Sequence, residues 1–212
     1  MLLAIDTCGA TGTIAIGRRD GDAVGVIAQT ELAGKTFSAQ LVPRIRELLA
    51  EYSATARDLQ AIVVVNGPGS FTGVRIGVSA AKGLAEALRI PVVALSRLAL
   101  LAGKAGTSAA ALDAGRGEVY FGHYAGGQTT EVLLPTDDAH TFTSGPIAIC
   151  EESLARLWPT APLTAAPDAA YALSAATPRL RAQDYDDVLA LDGNYVRRSD
   201  AELFARPAAG QK

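Results

Sequence analysis

Histidine and cysteine are scarce in this chain, two of each in 212 residues, and their scarcity removes whole classes of chemistry. His123 and His140 stand in unrelated contexts, so no HExxH helix can bring two imidazoles to one face, and a zinc peptidase of that type is excluded. Ser70 follows Gly69 outside any GxSxG elbow, and neither histidine can be assigned to activate it. Cys8 and Cys150 are too few for a disulfide framework and not clustered as metal ligands, which favours a reduced, cytoplasmic setting. The opening MLLAID has no basic segment before its apolar residues, so no signal peptide is expected. No run reaches the ~18 apolar residues of a membrane span. Charge of one sign is also lacking: the net charge of −3 and pI of about 5.4 do not describe a strong binder of phosphate backbones, and a nucleic-acid role would need a partner.

What is present is an apolar fraction of 49% with a mean hydropathy of +0.20, enough for one core or two small ones. The chain is organised around Ala61 to Pro91. Ile62 to Val65 is β-branched and bounded by turn residues, so it reads as a buried strand. Gly67, Pro68 and Gly69 force a tight turn. Ser70 or Thr72 then caps a helix on which Val74, Val78, Ala81, Leu84, Ala85 and Leu88 recur at helical spacing. Inside that helix Gly73 and Gly77 sit one turn apart, each costing ~1 kcal/mol relative to alanine. Together with Ala80 and Ala81 they clear a flat stripe for another backbone. Two readings of the stripe are open: packing on the chain's own sheet, or contact with another subunit. The GxGxxxG spacing of Gly67, Gly69 and Gly73 is not the dinucleotide pattern, and Val74 and Arg75 follow where a phosphate loop needs Lys and Ser or Thr.

Taken in order, Leu2 to Ile5 reads as a buried strand ending at Asp6. Thr13 to Gly17 and Val24 to Leu32 read as two further strands of an antiparallel meander. A helix follows, with Phe37, Leu41, Ile45, Leu48, Leu49 and Tyr52 on one face and Pro43 implying a late start or a kink. The expected first domain is 1–103 and the second, smaller one 104–212, a mixed sheet flanked by helices in each. The opening Ala4-Ile5-Asp6, glycine turn and second strand are echoed by Ala111-Leu112-Asp113, Gly115-Arg116-Gly117 and Val119 to Gly122, which suggests a duplicated α/β unit. Beyond this, Glu151 to Leu157 and Asp168 to Ala176 read as short helices, and Pro159, Pro162, Pro167 and Pro178 as breaks. Tyr195, Arg197 and Arg198 near the end could meet RNA, although a solvated surface is the plainer reading.

GPGSFTGVRIG at Gly67 to Gly77, LDAGRGEVY at Leu112 to Tyr120 and LAIDT at Leu3 to Thr7 resemble the TsaB family, the dimerisation subunit of the bacterial apparatus that makes threonylcarbamoyladenosine in tRNA. The resemblance implies an actin-like (ASKHA) fold of two ribonuclease-H-like domains. It also implies a non-catalytic scaffold that pairs through its N-domain helices with itself or with the catalytic, HExxH-bearing TsaD paralogue, with a TsaE-like ATPase joining and tRNA met only through the complex. On that reading the contact surface comprises Phe37, Leu41, Ile45, Leu48, Gly73, Gly77, Ala80, Ala81 and Leu84. The motif turn comprises Gly67, Pro68, Gly69, Ser70, Phe71, Thr72 and Arg75. The chain departs from the family where many relatives have His at Phe37, Arg at Asn66, and Arg or Met at Gly115.

The competing class is an ATPase or phosphotransferase, because actin-like kinases place an aspartate after the first strand of each domain to organise magnesium and phosphates. Asp6 and Asp113 stand at those places, either as vestiges of such a site or simply as turn residues. No metal or cofactor is expected for the chain alone, and a nucleotide only at a joint surface with the partner.

Overall fold

The computed structural model describes residues 1–196 except 22, 34–35, 140 and 143–144; His140, Arg197 and Arg198 therefore lie outside the described residues. Leu2–Asp6 (β1), Gly12–Asp20 (β2) and Ala23–Leu32 (β3) form the expected meander. Phe37–Glu51 (α1) is one helix with Pro43 inside it. Ala61–Val65 (β4), Phe71–Leu88 (α2) and Val92–Leu95 (β5) follow. β4 pairs parallel to β1 from Leu2↔Ala61 to Ile5↔Val64, and β5 pairs parallel to β4, giving the order β3-β2-β1-β4-β5. Every residue of β1 and β4 is buried, as strands covered on both faces must be.

The division of the chain differs from the sequence expectation. Arg97–Ala105 (α3) crosses from one unit to the next, and the first compact unit is Met1–Leu100 together with Ala166–Asn194. The boundary at 103/104 is close at its first crossing, but the assignment of 166–194 to a second domain is corrected. The reason is an apolar stripe that only the first sheet can bury: Ala169, Ala172, Leu173, Ala176 and Leu180 are at most trace-exposed. They lie on Ala169–Ala175 (α5) and Thr177–Ala182 (α6), with Ala176 at the joint between the two. A Leu173 methyl lies against Gly17 of β2, while Thr13 accepts the Ala169 N–H at 2.8 Å. Pro178, expected to break structure, instead sits in the first turn of α6, where its missing N–H costs nothing.

The exposed edge of β5 is fastened by the same returning segment. Asp186 accepts the Ala94 N–H at 2.7 Å, and Arg179 donates to the Ala94 carbonyl at 2.9 Å while pairing with Asp184 and Asp186. A free strand edge is thereby covered.

The second unit, Leu101–Ala165 with the described residues from Tyr195, repeats the first in miniature. Ala109–Gly115 (β6), Glu118–Ala125 (β7) and Gln128–Pro135 (β8) form a meander, and Ile147–Ile149 (β9) lies parallel to β6. The order β8-β7-β6-β9 reproduces β3-β2-β1-β4, so the duplication read from the sequence is a duplication of topology. Thr136–Ala139 (α4) is an unexpected single turn, and the predicted 151–157 helix shortens to a 3₁₀ turn at Glu152–Leu154. Its core gathers Phe121, Leu134, Ile147, Ile149, Leu154 and Trp158.

Candidate functional site

The Gly67–Gly77 motif is a junction of three chain segments, and the glycines are there to let those segments touch. Gly67 has φ +112° and a cis bond to Pro68; its carbonyl accepts the Arg97 N–H at 2.6 Å, and the Ser70 N–H donates to the Cys8 carbonyl at 2.8 Å. Ser70 caps α2, its hydroxyl accepting from the Gly73 N–H at 3.3 Å. A Cβ on Gly69 would strike the Cys8 carbonyl, one on Gly73 the Thr7 carbonyl, and one on Gly77 the Thr7 hydroxyl. The Thr7 hydroxyl donates to the Gly73 carbonyl at 2.6 Å and ties helix to strand.

The glycine stripe therefore packs inward, which corrects its assignment to a partner surface: Gly73 and Gly77 are buried against β1 and its following loop, and Ala81 is buried within the chain. Phe37, Leu41, Ile45 and Leu48 are likewise corrected, each no more than 6% exposed within the chain's own core. Phe37 closes over Gly12, so its departure from histidine alters the core rather than the surface. Ala80 and Leu84 are half-buried. What α2 turns outward is Phe71, 57% exposed with the Arg75 guanidinium 3.9 Å above its ring, then Thr72, Arg75, Ser79 and Gly83. On neighbouring α1 the large apolar side chain that is exposed is Val42. Periodicity identified the apolar face correctly, but a buried face and a docking face carry the same signal.

The turn after β1 is the second feature. Asp6 is 4% exposed and accepts the Cys8 N–H at 2.8 Å. Burial pushes its carboxyl above the ordinary value, against the opposing pull of Arg97 and that hydrogen bond. Burial, then the charge of Asp6, pushes the Cys8 thiol well up, and the thiol donates to the Val65 carbonyl at 3.2 Å. Arg97, 9% exposed, lies along the open side of Gly9: its Nη2 is 3.0 Å from where a Cβ would stand. Its buried Nε has no hydrogen-bond partner among the described residues. Sequence reasoning missed Arg97, yet the signal was there: a charged residue two positions past the apolar strand β5, as Asp6 is the charged residue that ends β1.

Asp113, in the second unit, repeats the Asp6 turn. Its Oδ1 accepts the Gly115 N–H at 2.7 Å and its Oδ2 the Ser153 hydroxyl at 2.7 Å. Gly115 has φ +73°, a conformation glycine adopts without steric cost. Asn66 donates to the Asp192 carbonyl at 3.4 Å and accepts the Asn194 N–H on its own carbonyl. No cluster of metal-ligating side chains occurs among the described residues.

A family model described as TsaD, tRNA N6-adenosine threonylcarbamoyltransferase, matches residues 25–141. The Bacillus subtilis tRNA threonylcarbamoyladenosine biosynthesis protein TsaB is 42% identical over 127 residues, 58% of this chain and 54% of that protein. The Escherichia coli protein of the same name is 34% identical over 152 residues, 66% and 64% of the two chains. The matched stretch thus spans between about half and two thirds of these relatives. The structure of YeaZ from Pseudomonas aeruginosa aligns with a TM-score of 0.74 at 28% identity, covering 92% of this chain and 99% of that one. Two duplicated sheets, the Gly67–Gly77 junction and these matches together show that the chain belongs to the TsaD family and, within it, to the TsaB group.

Proposed function

We propose that this chain acts in the making of threonylcarbamoyladenosine in tRNA as a non-catalytic scaffold and activator. It pairs through the outward faces of α2 and α1 with a catalytic, HExxH-bearing paralogue of the TsaD type, or with a second copy of itself. A TsaE-type ATPase joins the assembly, and tRNA is engaged through the complex. The observation that carries this reading is that the chain's own groups fill the turn where an actin-like enzyme would seat phosphate. Arg97 covers Gly9, and Asp6 and Asp113 each accept an N–H two residues on. Exposed Phe71 and Val42 on adjacent helices supply the apolar contact that pairing needs.

The test is solution mass by light scattering during size exclusion, for the chain alone and mixed with the paralogue from the same organism. A homodimer that exchanges into a heterodimer is expected. Phe71→Asp should abolish both without unfolding the chain, because an acidic residue in the first turn of α2 favours the helix. A monomer indifferent to the paralogue refutes the proposal, as does magnesium-dependent ATP turnover by the isolated chain that Asp6→Asn removes.

A further inference from the structure

The chain turns back directly after α1, and the turn leaves a groove beside the helix. Ser53 takes φ +54°, and the Ala54 N–H donates to the Leu49 carbonyl at 2.9 Å, which brings residues 54–56 beside the last turns of α1. A single 3₁₀ turn at Ala56–Asp58 follows, fixed by the Thr55 N–H and hydroxyl, which both donate to the Asp58 carboxylate, at 2.8 and 2.9 Å. The groove has a volume of about 580 Å³. Pro43, Leu49, Ala50, Ala54 and Ala56 give it apolar walls, and Arg46, Glu47 and Thr55 stand among them as its polar groups. All of these belong to one uninterrupted run of described residues, 43–56. Glu47 is engaged by Arg44 at 2.6 Å, whereas exposed Arg46 has no hydrogen-bond or ion-pair partner among the described residues. Val42, the α1 residue given to pairing, does not line the groove.

We propose that this groove binds a small hydrophobic monocarboxylate, with Arg46 as the partner of its carboxylate and the proline and alanine walls as the bed of its apolar body. Cavities of ~300–1,000 Å³ take small organic molecules, held mainly by apolar contact and oriented by a few polar groups. A free guanidinium at the rim of such a groove selects an anion, and its forked N–H groups match the two oxygens of a carboxylate. Thr55 supplies no second donor, since its hydroxyl hydrogen goes to Asp58. With one cation for the ligand and the Glu47 carboxylate on the same groove, one negative charge is accommodated better than the two of a phosphate monoester. Small side chains at Ala50, Ala54 and Ala56 leave room for a ring or a short alkyl chain to lie flat. The site is separate from the pairing face, so it does not depend on the scaffold reading.

The probes are 3-phenylpropionate, its neutral analogue 3-phenylpropanol and the dianion phenyl phosphate, each titrated into the ¹⁵N-labelled full chain. The readout is the amide shifts of Ala50, Ala54 and Ala56 in heteronuclear NMR spectra. The proteins are the unmodified chain, Arg46→Gln, Ala50→Leu, which fills the groove from an exposed helical position, and Arg57→Gln as a control outside the lining. Saturable shifts at these three amides are expected with 3-phenylpropionate, with a Kd of about 1 mM. Binding should be about tenfold weaker for 3-phenylpropanol and in Arg46→Gln, weaker for phenyl phosphate, lost in Ala50→Leu and unchanged in Arg57→Gln. Arg46 is exposed and unpartnered among the described residues, so Arg46→Gln tests the site in a folded chain. The proposal is overturned if 3-phenylpropionate does not saturate by about 20 mM, or if Arg46→Gln or Ala50→Leu binds it as the unmodified chain does. Equal weakening by Arg57→Gln, or tighter binding of either other probe, overturns it as well.

Discussion

Two glycines six residues apart in α2 should respond to alanine with opposite signs. Gly83 is exposed, and a Cβ there meets nothing within 4 Å. Gly83→Ala therefore gains only the helical preference of alanine, about 1 kcal/mol. Gly77→Ala gains the same preference, but its Cβ runs into the Thr7 hydroxyl, which the Gly73 carbonyl holds at 2.6 Å. Overpacking costs about 1–3 kcal/mol, and losing a buried hydrogen bond about 1 kcal/mol more. Subtracting the helical gain leaves Gly77→Ala destabilised by about 1–3 kcal/mol. Because the propensity term is common to both, the gap between the variants isolates the contact with β1. Urea unfolding followed by circular dichroism measures it, with Thr7→Ala/Gly77→Ala as a double-mutant check: alanine at position 7 removes the hydroxyl that the new methyl strikes, so the double variant should be less destabilised than the sum of the two single ones. Equal stabilities for Gly77→Ala and Gly83→Ala would refute the argument and return the stripe to the surface of a partner.

Asp6 predicts a pH dependence of definite sign. Its carboxyl is raised by burial in the folded state, so its favourable contribution is complete below the unfolded value and is lost as pH rises through the folded one. Asp6→Asn, which keeps an acceptor for the Cys8 N–H, should gain stability relative to the unmodified chain between about pH 4 and pH 7; urea midpoints at both pH values check this, and a relative loss contradicts it. Arg179→Met unfastens the β5 edge from Ala94, Asp184 and Asp186. The expected cost is about 1–2 kcal/mol, discounted because the ion pairs are partly exposed, and faster hydrogen exchange at Ala94 is the local readout. Cys8, buried with its thiol pushed well up, should resist iodoacetamide in the folded chain. Half-exposed Cys150 should react first, and mass-mapped labelling rates distinguish the two.

Much of the architecture is written locally. Runs such as Ile62 to Val65 and Leu2 to Ile5 could be buried strands and little else, and the repeated pattern of strand, aspartate and glycine turn announced the second sheet before any coordinate. Asp6 and Asp113 were legible as turn residues because an aspartate that accepts an N–H two residues on needs only its neighbours. The 166–194 segment was not legible, since alanine-rich helices carry too weak an apolar signal to say which core they join.

The sequence by itself thus determined the strands, the long glycine helix, the duplication and the family. Each depends on spacing along the chain, and spacing is fully present in the residues. Only the tertiary structure decided where the glycines press, which side of α2 meets solvent, and that Arg97 lies against Gly9. Those are contacts between segments tens of residues apart, and a backbone that needs a close neighbour looks the same in sequence whether that neighbour is its own β1 or another molecule.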